Sequence, residues 1–140
     1  MNYEPTTNWM KRAMRQMLDV VELDVMTTNQ QQDCWQLLAR CSQVLDDGLI
    51  QHVDIVLGEQ DCIEITFNTH AQVQGCVVIR KIWTSQPRYS AKCGRAFRRS
   101  SCADSLSSWL LQALKTAQQQ QGEAALQTHI AFKKRLKSGR

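Results

Sequence analysis

Apolar residues recur at two different spacings along this chain, and the change of spacing separates helices from strands. Over residues 7–22 they fall at Met10, Ala13, Met14, Met17, Leu18 and Val21. Steps of three and four place them on one helical face, and Thr7 or Asn8 is the expected cap. Residues 22–28 are ambiguous, because Leu23 and Val25 alternate with acids. A second stripe of Cys34, Leu38, Cys41 and Leu45, with Trp35 and Leu37 beside it, predicts a helix from about Asn29 to Asp46. Asn29 followed by Gln32 has the form of a capping box, and Asp47-Gly48 is a stop signal.

The period then becomes two. Val53, Ile55 and Leu57 share one face; so do Ile63, Ile65 and Phe67, and then Val73, Val77 and Ile79. Short turns at residues 58–60 and 68–70 separate these runs, which predicts a three-stranded antiparallel meander. Its apolar face has to be covered by the helices. Residues 84–101, with Pro87 and Gly94, read as a long loop. Leu106, Trp109, Leu110, Ala113, Leu114 and Ala117 make a third helical stripe that opens near Ser101 to Asp104, with Trp109 expected in the core. The polar run at 118–122 should end or bend that helix, and a last helix over about 123–136 carries Ala125, Ile130 and Phe132. Residues 1–6 and 133–140 read as tails. The expectation is one α+β domain over residues 1–140, with two N-terminal helices, a three-stranded meander, a basic loop and two C-terminal helices.

Composition narrows the class. A chain of 140 residues with 43% apolar content can build one core. No apolar run approaches the roughly 18 residues of a membrane span, and the N-terminus lacks the build of a signal peptide, so a cytoplasmic location is expected. The six cysteines show no CxxC spacing. They read as reduced, mostly buried small residues, and neither a metal nor a cofactor is expected.

Charge changes the picture most. Residues 1–60 hold four basic and nine acidic side chains, while residues 61–140 hold thirteen basic and four acidic. Between Glu64 and Asp104 there are seven basic residues and no acidic one. The stretch SQPRYSAKCGRAFRRSS over 85–101 interleaves aromatics with cations. Arginine forks fit phosphate oxygens, and aromatic rings among cations can stack on unpaired bases. The candidate binding residues are Arg80, Lys81, Trp83, Arg88, Tyr89, Lys92, Arg95, Phe97, Arg98 and Arg99, with Lys133, Lys134 and Arg135 from the C-terminal tail. The competing reading is internal. Glu22, Asp24, Asp33, Asp46 or Asp47 can match these cations within the fold or across a homodimer.

Catalysis has one conceivable location. A hairpin turning tightly at 58–60 would gather His52, Asp54, Cys62, Glu64 and Cys76 on the outer sheet face. A two-residue slip in register dissolves that group, and there is no phosphate-cradling glycine loop or nucleophile elbow. The sequence therefore reads as a small non-enzymatic accessory protein of bacteria or their mobile elements that binds nucleic acid through a basic loop. The alternative is an adaptor or inhibitor that docks the same patch on an acidic protein surface. A homodimer is plausible and a membrane role is not expected.

Overall fold

The structure is a computed structural model that describes residues 7–22, 26–81 and 87–138. Within these, residues 22, 125, 128, 132 and 134–138 are described by their backbone alone. The expected tail at 1–6, the residues 23–25 and Trp83 lie outside the described residues.

Helix α1 spans Asn8–Glu22 and buries Trp9, Met10, Ala13 and Met17. Two of its unsatisfied N-terminal amides, on Asn8 and Trp9, donate to the Asp47 carboxylate at 2.9 and 3.1 Å. The Asn8 bond above all holds that carboxyl below its usual range, which favours the charged form at a helix N-terminus. Thr7 Oγ1 accepts from the Met10 amide at 3.1 Å. Helix α2 spans Thr28–Val44. Its capping box is built from Thr27 and Gln30, two residues earlier than the spacing of Asn29 and Gln32 suggested.

Five strands follow: β1 (Ile50–Leu57), β2 (Ile63–Thr69), β3 (Gln74–Ile79), β4 (Tyr89–Cys93) and β5 (Ala96–Ser100). They form one antiparallel meander in the order β1-β2-β3-β4-β5. The α+β class stands, but the expected three-stranded meander with a basic loop does not. The segment read as a loop supplies the fourth and fifth strands. In β4, Tyr89, Ala91 and Cys93 point inward and are buried, so a period-two signal was present beneath the charges. In β5 four of five residues are exposed and the fifth is half-buried, so burial imprints no alternation there. The turn between them is Gly94-Arg95. Gly94 takes φ 61°, the value a type II′ turn asks of its first central residue.

The C-terminal half is also corrected. Helix α3 runs unbroken over Ala103–Ser138, 36 residues, where two helices were expected. Glutamine is a good helix former, and Gly122 costs only about 1 kcal/mol in a helix interior, so residues 118–122 continue the helix.

All three helices cover one sheet face. α1 packs on β1; α3 packs on β3, β4 and β5; α2 lies against α1 and α3. The core joins Val53, Ile55, Ile63, Ile65, Phe67, Val77 and Ile79 to Leu38, Leu45, Leu110 and Leu114. Phe67 meets Trp9 edge to face at 5.6 Å. Gly75 sits where α3 approaches closest: a Cβ there would lie 2.8 Å from Leu110 Cδ1.

The two sheet edges are treated differently. On β1, Gln16 Nε2 donates to Val53 O and Gln16 Oε1 accepts from the Ile55 amide, both at 2.7 Å. Arg12 donates to Gln51 O at 2.7 Å. These side chains occupy backbone groups that would otherwise invite another strand. Strand β5 forms the opposite edge and carries Arg98 and Arg99.

Candidate functional site

The structure divides the predicted site residues into three groups. The first is built into the fold. Arg88 Nη1 lies 3.1 Å from Oδ1 of Asp33, whose side chain is only 5% exposed. Tyr89 is fully buried and its hydroxyl donates to Asp33 O at 3.1 Å, so it is no stacking platform. Burial, and then the Asp33 charge, push the Tyr89 phenol up. Burial also raises the Asp33 carboxyl, against the pull of Arg88. Lys81, unlike these, is exposed and pairs at the surface with exposed Asp61 at 3.2 Å. Arg80 follows the end of β3, half-buried, and its amide bonds Arg88 O at 3.4 Å. The internal match of cations to N-terminal acids thus accounts for Arg88 through Asp33.

The second group lies far away. Lys133 is exposed on α3, and Lys134 and Arg135 follow in the same helix. Ala117 is the part of α3 beside the β4–β5 turn. At 1.5 Å per residue, Lys133 lies roughly 24 Å further along the axis. These residues do not join the basic segment in one patch.

The third group is the hairpin. Lys92, Arg95, Phe97, Arg98 and Arg99 are all exposed. In the register, Lys92 faces Phe97, Ser90 faces Arg99 and Ala91 faces Arg98. Residues directly opposite share a face, so Lys92, Phe97 and Arg99 stand on the outer, helix-free face. Arg98, opposite buried Ala91, stands on the other side of the strand; a cleft of about 700 Å³ lies between the turn and α3. Cys93, Gly94 and Ala96 line this cleft from the hairpin; Trp109, expected in the core, is half-buried and lines it from the helix. The Arg99 guanidinium carbon lies 5.3 Å from the Phe97 ring centroid, within cation–π range.

Among the described residues, no carboxylate lies within 4.0 Å of Lys92, Arg95, Arg98 or Arg99. The outer face does carry acids, on β1 and β2. The register sets Asp54, Thr66, Cys76, Lys92 and Phe97 in one row, and Val56, Glu64, Val78, Ser90 and Arg99 in the next. Asp54 is three strands from Lys92 and Glu64 is three strands from Arg99, about 14 Å at strand spacing. That exceeds the Debye length of about 8 Å. The sheet face is therefore polarised, and its positive side is not neutralised from within.

The same register removes the conceivable catalytic group. Glu64 faces Val56 and Val78, and Asp54 faces Thr66, a shift of two residues from the tight turn assumed at 58–60. The connection is longer, a 3₁₀ turn at Glu59–Asp61 with Gln60 and Asp61 at positive φ. His52 keeps Asp54 at 3.6 Å. Among the described residues, no three His, Cys, Asp or Glu side chains gather as a metal site, and no helix is long and apolar enough to cross a membrane.

Sequence reasoning missed Cys102. It sits just before α3, exposed, where bonds from Ser105 and then the Asp104 amide lower its thiol. The signal was its place within the predicted helix start near Ser101 to Asp104, a position where thiolates are favoured. Set against known proteins, the chain matches no family model, no curated protein and no solved structure.

Proposed function

We propose that this chain is a small non-enzymatic accessory protein that binds nucleic acid through the β4–β5 hairpin. One observation carries the reading: Lys92, Arg95, Arg98 and Arg99 fall within eight consecutive residues of the hairpin, Lys92 and Arg99 on the same face as exposed Phe97, with no acid beside them among the described residues. Like charges this close repel one another; the phosphates of a polyanion neutralise them, and the counterions it releases add to the affinity. The reading loses Tyr89, Arg88 and Lys81 as contacts, and it does not need Lys133, Lys134 or Arg135.

A second reading has its own support. β5 is an edge strand that no side chain caps as Gln16 caps β1, among the described residues. An acidic protein segment can pair along such an edge. Binding of a labelled 20-nucleotide probe, followed by anisotropy at about 50 mM salt, separates the two. The nucleic-acid reading expects dissociation constants in the range of about 1–100 µM, lost when Lys92, Arg95, Arg98 and Arg99 are all changed to Ser. No binding by the wild type, or equal binding by the variant, refutes it.

A further inference from the structure

Resting on the nucleic-acid reading, the geometry points to a narrower ligand: we infer that the hairpin takes an unpaired single strand, with one base stacked on Phe97. Three observations lead there. Phe97 is 56% exposed, so its ring is accessible to a ligand. Its ring stands on the helix-free face, between Lys92 opposite it on β4 and Arg99 two residues along β5. Arg99 already lies near the ring at 5.3 Å, so a base and a guanidinium can share one aromatic platform while the cation reaches a phosphate.

The fold also disfavours a duplex. A two-stranded ribbon can enter a major groove about 12 Å wide. This hairpin is no free ribbon. β4 is paired to β3 from Cys76↔Lys92 to Ile79↔Tyr89, and α3 lies beneath. Five strands measure about 19 Å across, too broad for the groove. A duplex can meet this face through phosphates only and would leave Phe97 without a partner. The single strand should follow β5, because a path across the sheet leads to Asp54 and Glu64.

Charge alone favours the duplex, whose phosphates are denser. A preference for the single strand therefore has to come from stacking. The test compares a 12-nucleotide oligodeoxythymidine, a duplex of equal length and a polyglutamate peptide, against wild type, Phe97→Leu and Phe97→Trp. The exposed position makes both variants compatible with folding. The expected result is tighter binding of the single strand than of the duplex or polyglutamate. Phe97→Leu should weaken the single strand by roughly 5- to 100-fold, with the salt slope and duplex affinity unchanged, and Phe97→Trp should restore it. Equal or tighter duplex binding, or indifference to Phe97→Leu, overturns the single-strand inference and leaves the nucleic-acid reading standing. Failure of both nucleic acids to bind overturns the nucleic-acid reading itself, and polyglutamate binding alone points to an acidic protein partner.

Discussion

Changing Arg88 to Met should destabilise the fold without weakening the proposed interface. Arg88 is the partner of Asp33, at 3.1 Å, and the Asp33 side chain is 5% exposed. Removing one member of a buried pair costs about 3–5 kcal/mol. The Arg88 side chain is 36% exposed, so solvent screens part of that interaction, and about 2–3 kcal/mol is the expected loss at pH 7. An upper bound comes from proton uptake. A carboxyl that simply stays protonated costs about 4 kcal/mol at pH 7 and about 1.5 kcal/mol at pH 5, taking an unfolded pKa of about 3.9. The sign follows from the direction of the shift. Burial raises the folded-state Asp33 carboxyl, so its stability contribution is full below the unfolded value and is lost as pH rises through the folded one. Arg88→Met raises that carboxyl further and widens the window. Urea unfolding should show a midpoint about 1–1.5 M lower at pH 7 and a smaller loss at pH 5. Adding Asp33→Asn should recover most of it, because the amide needs no counter-charge. A loss under about 0.5 kcal/mol at pH 7, an equal loss at both pH values, or no recovery in the double variant would refute this account of Arg88.

Three more outcomes are expected. Gly75→Val places new atoms against Leu110 and Leu114; overpacking of this kind costs about 1–3 kcal/mol, read as a lower melting temperature, and an unchanged one would mean α3 can shift freely. With a thiol alkylator, Cys102 should label first in the native protein, while Cys34 and Cys41, buried and with their thiols pushed up by that burial, label only on unfolding; peptide mass spectrometry reads the order. Deleting residues 123–140 should change stability little, since the described side chains from Gln119 onward are all exposed, and should leave single-strand affinity within about twofold; a large loss of affinity would move the site toward Lys133.

The parts of the fold that a reader of the sequence can recover are those where one side is buried. α1, α2 and the first three strands write their periods plainly, and Gly94 and Gly58 mark real turns. Register is harder. The hairpin at Leu57↔Ile63 closes over a 3₁₀ turn, and no residue type there demands two successive positive φ values. A two-residue error keeps every side chain on its proper face yet changes every neighbour. That is why Val53, Ile55, Ile63, Ile65, Phe67, Val77 and Ile79 were placed correctly in the core while the group around Glu64 was not. β5 was hidden because an exposed edge strand has no dry side to select alternation. Arg88 and Arg99 look alike in sequence; only the packing of α2 against the start of β4 makes one an internal partner and leaves the other in solvent.

The central claim is that the cations around Phe97 hold a phosphate backbone, and the salt dependence of single-strand affinity tests it most directly. Neutralised phosphates contribute a slope of about −0.7 each on a single strand, so Lys92 and Arg99 on the outer face with Arg95 at the turn predict about −2 for the wild type. Replacing Lys92, Arg95 or Arg99 singly by Ser should flatten the slope by about 0.7 each, while Arg98→Ser, on the opposite face, and Arg88→Met change it less. A slope that ignores the hairpin substitutions, or one that responds equally to Arg88, would contradict the claim.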